Sequence, residues 1–352
     1  MSAFLALVLT VAPLEVRVLE RETPSRVHLE AARFTCDGKP LPGTAVDAEV
    51  SVREVKVGEA KCTQLVAEDG VAVTVKSTQR RYAGAVRVSL EGAVLRLINV
   101  VDVEDYLPSV VKAEADGAKP AALEAQAVVS RTFAVTGRKR HERAGYHLCD
   151  LAHCQLYRGK TETSPDADAA VKKTANLALF IGGIVLKPAF FHSSCGGHTS
   201  RAEEIFGEAA AGSAVSDVEN GAARCKTADF GWTFDVEKLD LARALGVAPT
   251  GTALEPLRRD EGGRIVDLRV FGKRVSGQEF LSKTGRTFGW QSIRSLKFTS
   301  TENDTSLHLE GTGLGHGVGL CQLGARALAE RGVDAKGILA RYFPESQLKP
   351  LP

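Results

Sequence analysis

The sequence predicts an α+β fold, and three observations carry that expectation. Period-two alternation bounded by Gly and Asp fills residues 13–102; helical apolar spacing starts at Val103 and continues through one long helix; strands then return ahead of a glycine-rich C-terminal turn, without regular strand–helix–strand repeats. At 352 residues and 44% hydrophobic content the chain can build a real core. Lys and Arg number 45 against 43 Asp and Glu, and a net charge of +2 gives no reason to propose DNA or RNA as a partner.

Residues 4–11 (FLALVLTV) form an apolar run of signal-peptide length, far too short to span a bilayer. Seven cysteines, several in polar turns, agree with export, so residues 1–12 are expected to be a signal segment. No Lys or Arg precedes the run, and Pro13 would stand just past a cut after Ala12; a buried first strand leading into residues 14–19 is the competing reading. Residues 13–102 read as a β-rich module. Residues 45–52, 71–75 and 84–90 alternate as strands, and 95–101 closes the module. Cys36 and Cys62 sit beside strand-like runs and are expected to pair as a disulfide.

Residues 103–352 form a mixed α/β region. Leu107, Val110 and Val111 are spaced as one face of a helix over 104–114, which the Asp116-Gly117 pair breaks. Pro120 then stands where a first helical residue is tolerated, and residues 121–138 predict a long, mostly buried helix. The charge run 138–143 reads as its solvated end. Further strands are expected at 179–181, 184–186 and 265–270, with Gly182-Gly183 as a tight hairpin. A glycine-rich loop over 311–319 leads to a helix at 320–330, a stop at Gly332 and a last amphipathic helix containing Ile338, Leu339, Tyr342 and Phe343.

Three segments are too polar and too glycine-rich to be explained by packing. Glu114 ends an apolar helix just before a break; a carboxyl half-buried at a cleft rim suits a general acid, and a solvated helix-end Glu is the ordinary alternative. His192, Ser193 and Ser194 put three hydrogen-bonding side chains at a strand end, with no G-x-S-x-G elbow around them. His316 lies between two glycines, either approached closely by backbone or capping a tight turn. Separately, Cys149, His153 and Cys154, with His147 two residues before, have the density of a structural Zn2+ site; a Cys149–Cys154 disulfide is the plain alternative. Cys195 and Cys225 are candidates for another disulfide, with Cys321 left over.

In combination these segments resemble the SpoIID/LytB family. Residues 315–322 (GHGVGLCQ), Gly324-Ala325 and 338–344 (ILARYFP) resemble its C-terminal signature, and 104–107 through Arg131-Thr132 its catalytic helix region. His153-Cys154-Gln155-Leu156-Tyr157, 193–197 (SSCGG) and 276–280 (SGQEF) fall between them in the family's order, so the resemblance covers about 101–343. It implies a peptidoglycan lytic transglycosylase. Glu114 falls on the family's catalytic glutamate, usually followed by Met-Pro where this chain has Ala115-Asp116. Arg131 falls on a family arginine that contacts substrate or orients the acid, and His316 and Gln322 line the cleft, with His192, Ser193 and Ser194 as further substrate contacts.

Hydrolytic glycosidases use two carboxylates. The transglycosylase reaction dispenses with the second, because the muramic C6 hydroxyl attacks its own C1 and closes a 1,6-anhydro ring. Some family members bind zinc where the 147–154 segment stands. The implied partners are peptidoglycan glycan strands and a cell-wall amidase, and the implied location is the cell envelope or the medium. Two other readings remain: a non-catalytic amidase enhancer, and a Cys/His hydrolase using Cys154 or Cys195 with His192, His198 or His316.

Overall fold

The computed structural model describes residues 12–227 and 230–352. The apolar run expected to be a signal lies outside the described residues. The chain forms two compact units, one running to Ala178 and including Lys349–Pro352, the other comprising Leu179–Leu348. The change of character at Val103 therefore lies inside the first unit. Among the described residues, strands and eight helices mix without a parallel repeat, the α+β architecture expected.

In the first unit the alternating runs fold as two sheets. A seven-stranded sheet runs in the order Leu148–Cys149, Leu14–Val18, Val94–Val101, Ala85–Glu91, Gln64–Glu68, Arg33–Cys36, Lys39–Leu41. A six-stranded sheet runs Thr78–Tyr82, Val71–Val75, Arg26–Glu30, Ala45–Val50, Val55–Val57, Ala60–Cys62. Pairing is antiparallel except where Leu148–Cys149 lies parallel to Leu14–Val18. Alternate residues such as Val86, Val88, Leu95, Leu97, Val27 and Leu29 are buried, each contributing roughly 1.5–3 kcal/mol. The Cys36–Cys62 disulfide forms as expected and joins the two sheets.

Three helices complete this unit: α1 (Val103–Ala115), α2 (Pro120–Thr136) and α3 (Pro165–Lys173). α1 buries Tyr106, Leu107, Val110 and Val111 and stops where Gly117 turns to φ +70°, a conformation glycine adopts without a side-chain clash. Pro120 is the first residue of α2, and every residue from Ala122 to Ala134 is buried, so this helix is enclosed on all sides.

The second unit carries α4 (Ala202–Phe206), α5 (Lys238–Leu245), α6 (Gly277–Phe288), α7 (Gln322–Glu330) and α8 (Ala335–Tyr342). Two three-stranded sheets, Gly231–Glu237/Ser306–Thr312/Phe298–Glu302 and Leu254–Arg259/Ile265–Val270/Lys273–Ser276, share a core with α5 and α6 around Leu241, Leu268, Phe280 and Phe298. The 276–280 motif is explained by this packing: Ser276 caps α6 by accepting the Glu279 N–H at 3.1 Å. Among the described residues no helix is long and apolar enough to cross a membrane.

Candidate functional site

Glu114 sits in the last turn of α1, half-buried. Its Oε1 accepts the backbone N–H of Leu156 at 2.9 Å. Residues 155–158 are clamped along the helix by three further bonds: Arg158 N–H donates to Ser109 Oγ at 2.8 Å, Tyr106 Oη to Gln155 Oε1 at 3.1 Å, and Gln155 Nε2 to the Ser130 carbonyl at 3.3 Å. Tyr157 donates to Asn99 Oδ1 at 2.8 Å, and Asn99 is fixed in turn on the Ala83 and Ala85 carbonyls. The carboxyl thus has one set position against a segment pinned to both helices and to the sheet. Burial holds the Tyr106 hydroxyl far above its usual range, with nearby negative charge at Cys154 and Glu114 adding to the effect.

Arg131 does not face outward. Its side chain is fully enclosed, with Nε 2.7 Å and Nη2 2.8 Å from the two oxygens of Glu104, and Nη1 donating to the Leu177 carbonyl at 3.1 Å. This two-pronged ion pair ties α2 to the start of α1, the helix that ends in Glu114.

Beside the clamped segment, His141, Cys149, His153 and Cys154 bring their ligand atoms within 4.8 Å of one another. His141 Nε2 is 3.3 Å from Cys154 Sγ, and His153 Nδ1 lies 3.8 Å and 3.7 Å from Cys149 and Cys154. The two cysteines are free thiols, not the alternative disulfide. Cys149 donates toward Cys154, which holds the Cys154 thiol down at about 7 despite burial. Burial lowers the His141 pKa, which favours the neutral ring that a metal ligand must present. Two histidines and two thiols at this spacing fit tetrahedral Zn2+.

His147 is not part of the group, and the expectation that it was is corrected. Its Nδ1 accepts the Glu15 N–H at 3.0 Å and its own N–H bonds the Glu15 carbonyl, so it edges the sheet. His141 takes the place instead. Its place in the charge run after α2 masks it in the sequence, where the one signal is a histidine eight residues before Cys149.

In the second unit the two remaining motifs meet. Phe191–His192 pairs in parallel with Leu320–Cys321, and Ser194 exchanges backbone bonds of 3.0 and 2.9 Å with Leu314. His192 and His316 lie with ring centroids 5.5 Å apart, and Phe190 and Phe206 flank His316. His192 and Ser194 are buried, while Ser193, His316 and Gln322 are half-buried. Burial, reinforced by His316 and Arg264, holds His192 well below its usual pKa, hence neutral. The loop must be glycine at Gly317, where φ is +83° and a Cβ would strike the guanidinium of Arg264, itself completely buried. Cys195 and Cys225 are free thiols 3.4 Å apart with Cys321 beside them, in place of the expected pair and leftover. Cys195 is wholly buried, which removes it as a nucleophile open to substrate.

The SpoIID family, described as stage II sporulation protein, matches residues 91–180, the stretch that carries Glu114, Arg131 and the His141 cluster. The stage II sporulation protein D of Bacillus amyloliquefaciens is 27% identical over 260 residues, covering 69% of this chain and 73% of that protein. Residues 91–180 of the chain thus carry a SpoIID-family segment. The chain also aligns with an uncharacterised protein of Brachyspira hyodysenteriae, 27% identical over 250 residues, 70% of this chain and 66% of the relative. It also aligns with the amidase enhancer of Bacillus subtilis, 26% identical over 281 residues, 64% of this chain and 38% of the enhancer. The SpoIID match and the enhancer likeness together support a cell-wall-related role. The SpoIID match ends at residue 180, before the histidine motifs of the second unit.

Proposed function

We propose that this protein cleaves peptidoglycan glycan strands as a lytic transglycosylase in the cell envelope or outside the cell, with Glu114 as the single acid/base. The observation that carries the reading is the setting of Glu114: a half-buried carboxyl at a helix end, oriented by the Leu156 N–H, inside the SpoIID match. Glu114 protonates the glycosidic oxygen as it leaves, and the resulting carboxylate then takes the proton of the muramic C6 hydroxyl as it closes on C1. One residue serves both steps, so no second carboxylate is required, in contrast to hydrolytic glycosidases.

His141, Cys149, His153 and Cys154 would hold Zn2+ in this reading, with the thiols deprotonated on binding. A closed set of four protein ligands supplies folding energy, not a reactive water. This chain's own part is to keep the 149–156 segment, and with it the Leu156 amide, in register with Glu114. Incubating purified protein with peptidoglycan and analysing the muropeptides by mass spectrometry tests the proposal; 1,6-anhydromuramic ends are expected. The amidase enhancer likeness favours a second reading, in which the protein binds the wall and stimulates an amidase. Wall binding with no anhydro ends would select that one.

A further inference from the structure

Cys195, Asp217, Cys225 and Cys321 place one ligand atom each within 4.8 Å of one another, and none of the four is exposed. Cys195 Sγ lies 3.4 Å from Cys225 Sγ and 3.4 Å from Asp217 Oδ2. A tetrahedral zinc with Zn–S near 2.3 Å holds its ligand atoms roughly 3.5–3.8 Å apart. The cluster therefore has the dimensions of a coordination shell, with soft donors that select zinc over hard cations.

The surroundings are built for negative charge on these atoms. Cys321 Sγ accepts two backbone N–H groups, from Cys195 at 3.3 Å and Gly324 at 3.4 Å. It does so as the N-cap of α7, a position where Ser, Thr, Asp or Asn is usual. Asp217 receives Arg224 at 3.2 Å and Arg341 at 3.4 Å on Oδ1, and the Tyr342 hydroxyl at 2.9 Å on Oδ2. Arg264 donates to the Cys195 carbonyl and Lys297 to the Gly196 carbonyl at 2.7 Å. Arg224, Arg341 and Tyr342 answer the Asp217 carboxylate, while the two N–H donors on Cys321 Sγ and the nearby Arg264 and Lys297 favour thiolate at the sulfurs as well. Three thiolates and a carboxylate around a divalent ion stay net negative, and this polar shell suits that charge in a dry interior.

We propose that Cys195, Asp217, Cys225 and Cys321 form a second metal centre, a closed structural site for Zn2+. Binding deprotonates the thiols and releases the protons to solvent. The site ties the strand end after His192, the hairpin of Val218–Glu219 and Ala222–Ala223, and the start of α7 to one another. This inference stands apart from the glycan-cleaving reading, since none of its residues is assigned to that reaction.

The test is zinc content and sulfur coordination of the full chain, purified without chelators, by elemental analysis and X-ray absorption. About two zinc ions per chain are expected, with about 2.5 sulfurs per zinc averaged over a two-thiolate and a three-thiolate site. Cys321→Ser and Asp217→Asn should each lower the content by about one, additively with Cys154→Ser. A single zinc bound by three sulfurs, lost in Cys321→Ser and kept in Cys154→Ser, would sustain this centre and reject the one at His141. Should Cys321→Ser fail to fold, the wild-type sulfur average decides, a value of about 2 going against the proposal. Unchanged zinc in Cys321→Ser, or a Cys195–Cys225 disulfide mapped in the native protein, overturns it.

Discussion

Glu114 Oε1 and the backbone N–H of Leu156 are 2.9 Å apart, and this bond ties a residue at the end of one helix to a segment 42 positions downstream. Because the donor is a main-chain amide, the geometry depends on where residues 149–158 run and not on the identity of Leu156. The segment is held on both sides, by Ser109 and Tyr106 of α1 and by Ser130 of α2.

That arrangement makes Glu114→Gln an informative substitution. A glutamine oxygen still accepts the Leu156 N–H, so the fold and wall binding should persist while the titratable proton is gone. Formation of anhydro products should fall on the order of 10²–10⁴-fold. Activity within a few-fold of the parent, measured on the same peptidoglycan, would mean that another group supplies the proton.

Arg131 carries a contrasting expectation. Replacing it by Lys keeps the charge but removes the fork that meets both Glu104 oxygens and the donor to the Leu177 carbonyl, all in a fully buried setting. Stability should drop by about 1–3 kcal/mol as buried acceptors lose their partners. A positioning residue lowers Tm and kcat and leaves KM for glycan unchanged. A rise in KM with no loss of Tm would restore the substrate-contact role that the sequence resemblance suggests.

Much of this was legible in the sequence, for identifiable reasons. Period-two alternation located the strands of the first unit because one face of each is buried, and the Asp116-Gly117 break with Pro120 fixed the boundary between α1 and α2, since both act through local backbone preference. The pairing of Cys36 with Cys62 was legible from neighbouring strands. The division at Ala178 was not, because it depends on long-range packing. Nor was the exchange of His147 for His141, which turns on a parallel strand pairing between residues 132 positions apart that spends His147 on Glu15. The clustering of Asp217 with three cysteines has the same origin: its members come from three separate stretches of chain, brought together by long-range packing.

Cys154→Ser addresses the first metal cluster. Serine is a poor zinc ligand, so metal content should fall by about one per chain, and Tm should fall with it because binding free energy is part of folding free energy. Glycan cleavage should decline as well, through loss of order in the segment that carries the Leu156 amide. Protein purified without chelators that holds no zinc, with Cys149 and Cys154 mapped as a disulfide, would exclude this centre.

The last prediction concerns pH and His192. Its ring is buried, Nδ1 donates to the Val318 carbonyl at 3.1 Å, and Nε2 has no hydrogen-bond partner among the described residues. Burial first, then His316 and Arg264, hold its pKa well below the usual 6.5, so the folded unit keeps it neutral. The unfolded chain protonates the same residue near pH 6.5, and below that value it binds more protons than the folded state. Stability therefore has its full value above about pH 6.5 and declines as pH falls toward the folded pKa, by up to about 1.4 kcal/mol per pH unit. His192→Asn keeps an N–H for Val318 and does not titrate, so the acid-side slope should flatten, whatever the substitution costs at neutral pH. Thermal melts of both proteins between pH 7.5 and about pH 5 give the comparison, and two parallel curves would show that His192 is not the residue that resists protonation.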